Sequence, residues 1–284
     1  MMNDIAVITG TTHGIGFVTS RELAKAGLTV VMLCRDLAGA ARTRQAILAT
    51  VPQANVHTIH CDLASLASVR ESAATVRRDF GRIGWLINNA GMVSTWRKTS
   101  VDGFELTFAT NHLGPFLLTE LLRERMADQG RIINLASRAH YKARTLDLTG
   151  IADLGARYSG TAAYSRSKLA NVMHTFALAR RLSGASGVTV NCLHPGVVAT
   201  NLLPRWLRLI KPILSPNIID AERGARTTLY LALSPDVAGV SGRYFDEFQK
   251  EQRALELAYD VRLQERLWEA SARWVALRTA PVPS

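Results

Sequence analysis

The chain has 284 residues, 48% of them apolar, which is ample for the buried core of one large α/β domain or two small ones. Its formal charge of +11 comes from 34 Lys and Arg against 23 Asp and Glu, with the arginines scattered and interleaved with acids. That pattern argues against a nucleic-acid partner and leaves an anionic cofactor or membrane surface, while no apolar run of about 18 residues exists to span a bilayer.

Taken in order, the chain opens with the apolar run Ile5-Ala6-Val7-Ile8 and then Thr9-Gly10-Thr11-Thr12-His13-Gly14-Ile15-Gly16, with a helical pattern beginning near Phe17. A strand, a glycine turn and a helix describe the first unit of a nucleotide-binding fold. One glycine allows the sharp turn, another lets the backbone approach a pyrophosphate, and a third lets helix and strand pack closely. The following helix would face the phosphates with its free N–H groups. A plain tight turn is the alternative.

A second strand is expected over 29–34, followed by Arg35 and Asp36, then a helix over 37–50. An arginine at this strand end meets a 2′-phosphate, whereas a carboxylate accepts from ribose hydroxyls. Arg35 therefore points to NADP(H), with His13 as a further donor. Asp36 would read NAD(H) if the register moved by one residue. Strands are expected at 56–63, 85–88, 131–135, 188–193 and 242–245, with helices at 65–80, 101–126 (interrupted near Gly114 and Pro115) and 162–182. Continuous apolar strands between helices imply a parallel sheet covered on both faces. With no repeat, low-complexity tract or linker, residues 1–284 read as one domain with a flexible tail at 280–284.

Cys34, Cys61 and Cys192 lie in apolar strand-like runs without metal or redox spacing, so buried free thiols are expected. With no signal peptide ahead of the first strand, a cytoplasmic protein is expected.

The strongest local signal is Tyr164-Ser165-Arg166-Ser167-Lys168. A spacing of four puts Tyr164 and Lys168 on one helix face. A free tyrosine, with a pKa of about 10, is a poor proton shuttle at neutral pH, and a nearby ammonium would lower it. An ordinary exposed helix face is the bland reading, weakened by the glycine loop upstream.

With these motifs the chain resembles the short-chain dehydrogenase/reductase superfamily from about residue 4 to 278, and within it the retinol dehydrogenase-like branch. The resemblance is carried by the glycine loop, Asn88-Asn89-Ala90-Gly91, Asn111-His112-Leu113-Gly114-Pro115, the Tyr164–Lys168 stretch, His194-Pro195-Gly196-Val197-Val198-Ala199-Thr200, and Val240-Ser241-Gly242-Arg243-Tyr244-Phe245. It implies a single doubly wound Rossmann-type α/β domain with a mostly parallel, seven-stranded sheet, and NADP(H)-dependent interconversion of a carbonyl and an alcohol.

Carried over, Tyr164 exchanges a proton with the reacting oxygen, Lys168 tunes it and holds the nicotinamide ribose, and Ser137 hydrogen-bonds that oxygen. Asn111 links Lys168 to solvent. Asp62 and Leu63 flank the adenine, Asn88, Ala90 and Gly91 line the cofactor cleft, and Pro195, Gly196, Val198 and Thr200 close over the nicotinamide. Ser137 follows Ala136, where relatives often have serine, and is separated from Tyr164 by a long insertion; a serine that only caps the strand end is the alternative. None of the seven histidines forms a metal-ligand cluster, so no catalytic metal is expected. His112 and His194 fit packing or hydrogen-bonding roles, while His140 is expected on the substrate side.

Residues 200–219 are expected to form a substrate lid. Leu202, Leu203 and Trp206 point to a lipophilic substrate, and Arg205, Arg208 and Lys211 would line one edge of a short helix. That edge would either be solvated or dock on an anionic membrane. Trp268 and Trp274 read as core or dimer contacts, and the resemblance implies a homodimer or homotetramer. A light-dependent reductase of a tetrapyrrole double bond and a non-catalytic NADP(H) sensor are the alternative functions.

Overall fold

The computed structural model describes residues 5–148, 151, 158–184, 187–198 and 218–276. Strand β1 (Ile5–Thr9) lies at the centre, with β2 (Thr29–Cys34) and β3 (Val56–His60) stepping outward on one side. On the other side follow β4 (Ile83–Asn88), β5 (Met126–Leu135), β6 (Thr189–Leu193) and, after two further strands, β9 (Tyr244–Phe245). The result is a seven-stranded sheet of order β3-β2-β1-β4-β5-β6-β9 with every pairing parallel. This is the doubly wound Rossmann-type α/β arrangement, and the chain reverses direction across the sheet between β1 and β4.

Period-two alternation assigns each strand residue to one of two cores. Val7, Val31 and Leu33 point to a face covered by α3 (Leu66–Asp79), α5 (Gly114–Leu122) and α6 (Gly160–Leu182), with α8 (Val261–Trp274) outside α6. Ala6, Ile8, Val30 and Met32 point to the face covered by α1 (Gly14–Lys25), α2 (Leu37–Thr50) and α7 (Ala221–Leu233). Both faces are dry, which is why these strands read as unbroken apolar runs. Trp268 sits inside the first core, edge-on to Phe116 at 5.1 Å and under the Arg181 guanidinium at 4.3 Å. The three cysteines are free and buried.

Three elements differ from expectation. Helix α1 begins at Gly14 rather than near Phe17. The long helix starts with the short α4 (Leu106–Phe108), and its interruption is a π-helical turn, Ala109–Leu113, ahead of the expected Gly114-Pro115 break. Helix α7 falls in a stretch where no element was expected. Beyond the main sheet, β7 (Val197–Val198) pairs in parallel with β8 (Ile218–Ile219), which brings together the two ends of the stretch expected to be the lid. Thr200, Leu202, Leu203, Trp206 and the three basic lid residues lie outside the described residues. Among the described residues no helix is long and apolar enough to cross a membrane.

Candidate active site at the carboxyl edge of the sheet

The glycine loop runs over the crevice between β1 and β4. Gly10 and Gly14 have φ of +70° and +61°, a left-handed backbone that side chains with a Cβ rarely adopt. A Cβ on Gly10 would lie 2.9 Å from Ala90 Cα, so this turn and the end of β4 touch through backbone. Asn89 clamps them together. Its Nδ2 donates to Thr9 O (2.8 Å) and Gly10 O (3.0 Å), while Thr9 Oγ1 accepts from the Asn89 and Ala90 amides at 3.1 and 3.0 Å.

Helix α1 starts without a side-chain cap and without an acid in its first turn, whereas α2, α3, α6, α7 and α8 are capped by Asp36, Ser65, Ser159, Asp220 and Asp260. Its first amides are thus left for another acceptor, and a pyrophosphate fits there. Ile15 and Gly16 are buried behind the turn, Thr12 Oγ1 lies 3.0 Å from His13 Nδ1, and His13 is exposed. At the end of β2, Arg35 is exposed and pairs with none of the described residues. Asp36 is occupied, accepting from the Gly39 amide at 2.9 Å as the cap of α2 and lying 3.8 Å from Arg42. Asp62 turns back on its own loop, accepting from the Ala64 amide at 3.0 Å. A Cβ on Gly114 would fall 2.4 Å from Leu63 O, so this loop packs directly on the start of α5.

Opposite the glycine loop, four elements converge. Lys168 is buried and its Nζ donates to Leu135 O at 2.8 Å. Burial holds its pKa down at about 8. A Cβ on Gly91 would lie 3.2 Å from that Nζ and 3.6 Å from Asn111 Oδ1. Asn111, in the π-turn, is fixed by the Met92 main chain at both ends (2.8 and 2.9 Å) and by Ser167 Oγ at 3.0 Å. Single π-turns occur often at functional sites, and here the turn delivers Asn111. Tyr164 lies one helical turn before Lys168, with Lys168 Nζ 5.8 Å from its ring centroid. The Ser137 hydroxyl is near enough to the Tyr164 phenol to act on its pKa, in the lowering direction. Ser137 also caps the 3-10 turn Arg138–Lys142, accepting from Ala139 N at 3.2 Å, so capping and contact with Tyr164 coexist.

Two expectations change here. The Tyr164 phenol is raised above the ordinary tyrosine value, because burial outweighs the Ser137 contact that lowers it, and Lys168 aims its ammonium at Leu135 O. His140 does not face the substrate side. It is fully buried, with Nδ1–H donating to Ser137 O at 2.7 Å and Nε2 accepting from Leu255 N–H at 3.2 Å. Both nitrogens being used, its work is to hold the Ser137 turn. The Asn88 side chain is likewise interior, donating to Thr119 Oγ1 (3.0 Å) and Asn134 Oδ1 (2.8 Å) and so bracing β4 against β5 and α5. His112 is buried 2.9 Å from Ser271 Oγ, in a packing role. Pro195 and Gly196 (φ +79°) follow β6 at the same edge, ahead of Val198 in β7.

Asn89 and Thr9 stand in two of the sequence motifs, yet no role was assigned there to their side chains, which clamp the turn. The available signal was a polar pair at two adjacent apolar strand ends. Among the described residues no group of three or more His, Cys, Asp or Glu is placed to hold a metal ion. A cavity of about 730 Å³ lies at the opposite edge of the sheet, lined by Ile5, Thr29, Val56 and Gly81, away from the converging side chains.

Residues 4–148 match the family model of short chain dehydrogenases. Human retinol dehydrogenase 13 is 40% identical over 286 residues, spanning 97% of this chain and 86% of its own length. Among solved structures, an uncharacterised protein from Mycobacterium paratuberculosis superposes with a TM-score of 0.77 at 34% identity, covering 96% of this chain and 93% of that one. A blue fluorescent protein from a metagenomic library, crystallised in complex with NADPH, superposes with a TM-score of 0.68 at 27% identity, covering 85% and 95%. With the glycine loop, the parallel sheet and the Ser137, Tyr164 and Lys168 cluster in place, the chain belongs to the short-chain dehydrogenase/reductase family of oxidoreductases, in its retinol dehydrogenase-like branch.

Proposed function

We propose that this protein uses NADP(H) to interconvert a carbonyl and an alcohol on a lipophilic small molecule. The observation that carries the reading is the convergence of Ser137, Tyr164 and Lys168 at the carboxyl edge of the sheet, beside an uncapped helix start behind a glycine turn. When bound, a nicotinamide cofactor would supply the hydride chemistry. Ser137 donates a hydrogen bond to the reacting oxygen and stabilises its developing charge. Tyr164, protonated across the neutral range because burial raises it, gives its proton to that oxygen in the reductive direction. Lys168, held in place by Leu135 O, offsets the charge left on the phenolate and would hold the ribose of a bound cofactor. Asn111 fixes the Gly91-Met92 wall against α6.

Preference for NADP(H) over NAD(H) rests on Arg35, exposed and without a partner among the described residues, while Asp36 is committed to capping α2. The NADPH complex of a structural relative supports it. A lipophilic alcohol or carbonyl follows from the relative named for retinol, and from the apolar residues at 202, 203 and 206. Buried free thiols fit a reducing, cytoplasmic compartment, and a homodimer or homotetramer is the assembly we expect. The relatives favour neither tetrapyrrole reduction nor a purely sensing role.

The test is NADPH consumption against a panel of lipophilic aldehydes and ketones, with NADH in parallel. Turnover with a clear preference for NADPH supports the reading. Equal or better use of NADH would remove Arg35 as the reader of the 2′-phosphate, and no turnover with either would remove the reaction.

A further inference from the structure

We propose that Glu247 is a positioning residue that locks the Ser137 turn to the His194-Pro195-Gly196 loop. It rests on the oxidoreductase reading for its catalytic meaning, but the contacts stand by themselves. The Glu247 carboxylate reaches two different strand-end loops at once. Oε2 lies 2.5 Å from His194 Nε2, and Oε1 lies 3.9 Å from the Arg138 guanidinium, one residue past Ser137. Only 17% of the Glu247 side chain and 6% of that of His194 are exposed, so the His194 arm is buried, while the Arg138 side chain is 65% exposed and forms the looser arm.

The backbone under Glu247 is held from both sides. Asp246, next in line, accepts from the Phe248 and Lys250 amides (2.8 and 3.0 Å) and from Gln252 Nε2 (2.9 Å). Its carbonyl takes the Thr227 hydroxyl at 2.9 Å. The sense of the Tyr244–His194 hydrogen bond is also determined. Burial holds the His194 imidazole below its ordinary pKa and hence neutral, and the Tyr244 phenol, 2.8 Å from Nδ1, is held protonated by its own burial. Tyr244 donates to Nδ1, and Nε2 is turned to the Glu247 carboxylate in a close contact that lacks the alignment of a hydrogen bond. His194 N also donates to Phe245 O at 3.0 Å, so the loop entering Pro195 and Gly196 is pinned by main chain and side chain together. On the other flank, His140 fixes Ser137 O and stacks edge-on against Tyr244 at 4.9 Å. Glu247 thereby closes a circuit between the donor to the reacting oxygen and the segment expected over the nicotinamide.

Length and charge make opposite predictions, so two variants separate them. Glu247→Asp keeps the charge but withdraws it by about 1.5 Å, too far to span both loops. Glu247→Gln keeps the length and so still reaches His194 Nε2 and the Arg138 side, while removing the charge. In hydrogen–deuterium exchange of the cofactor-free protein, Asp is expected to speed amide exchange about tenfold in both 136–142 and 192–196, with 9–16 unchanged, and Gln to stay near wild type. With the best carbonyl of the panel, Asp is expected to lower kcat about tenfold while the NADPH Kd stays within about threefold; a misplacement of about 1 Å can cost up to a hundredfold. Exchange altered in one loop or in neither, or Gln more disturbed than Asp, overturns the proposal. So does wild-type kcat in Glu247→Asp. If the wild-type protein turned over no carbonyl, the oxidoreductase reading would fall, and the exchange result would still decide whether Glu247 ties the loops.

Discussion

Replacing Gly16 with alanine tests how tightly the cofactor turn is built. Gly16 lies in α1 with a backbone that any residue can adopt, so the change brings no torsional strain. The obstacle is space. A Cβ there would lie 2.2 Å from Gly10 O and 2.5 Å from Asn89 Nδ2, and ordinary contact begins near 3.4 Å, so the turn must open by about 1.2 Å. Overpacking of this kind costs about 1–3 kcal/mol. The methyl also intrudes on the bond from Asn89 Nδ2 to Gly10 O, adding about 0.5–1.5 kcal/mol. Taking about 3 kcal/mol in total, Tm should fall by roughly 6–12 °C at about 2–4 °C per kcal/mol. Because the displaced carbonyl belongs to the turn that faces the phosphates, NADPH binding by titration calorimetry should weaken at least about tenfold, or about 1.4 kcal/mol. Gly27→Ala is the control: φ is +86°, nothing lies within 4 Å, and it should lower Tm through backbone strain while leaving NADPH affinity unchanged. A Gly16→Ala protein with wild-type Tm and wild-type NADPH affinity would refute the close-packed turn.

Three further outcomes are expected. Arg35→Ser should weaken NADPH binding about tenfold and leave NADH within about twofold, since a hydrogen bond to a charged group contributes about 1.5–3 kcal/mol; parallel Kd measurements decide it. His112 and His140 are held at about 4 and His174 at about 3 by burial, below the ordinary 6.5. Their depressed values mean that the unfolded chain binds protons first as pH falls. Stability is therefore full above about pH 6.5 and is lost as pH drops through about 4, and a Tm series in which His174→Phe does not flatten that limb would contradict it. Finally, Lys168 at about 8 should lose its charge as pH rises past that value, so carbonyl reduction should fall there even though Tyr164 stays protonated; a pH–rate profile flat to pH 10 would count against this.

The parts of the fold that were legible in the sequence are those whose burial is made by large apolar side chains. The runs at β1, β2, β4 and β6 are of this kind, and they order the sheet. Helix α7 was not legible, because the residues it buries are Gly224, Ala225, Thr227 and Thr228 beside Leu231 and Ala232. Small and polar side chains let it pack closely on α1, and they leave few large apolar residues to mark the stretch. At the site, Tyr164 and Lys168 were visible because their spacing is local. His140 misled for the opposite reason: its partner Leu255 is 115 residues away, and a histidine near a candidate catalytic serine looks functional until both its nitrogens are seen to be used. The Tyr164 pKa could not be read from spacing either, since it depends on burial by several elements and on where Lys168 points. Glu247, in an ordinary Asp-Glu-Phe stretch, gained meaning only when β9 placed it beside β6.

The most direct test of the central claim, that Tyr164 is the proton donor in carbonyl reduction, compares wild type with Tyr164→Phe. NADPH oxidation is followed with the best carbonyl of the panel, and NADPH affinity is measured on both proteins. The account predicts a loss of kcat of about a hundredfold or more, the range expected for removing a general acid, with NADPH Kd within about threefold. A Tyr164→Phe protein that binds NADPH normally and still turns over at the wild-type rate would contradict it.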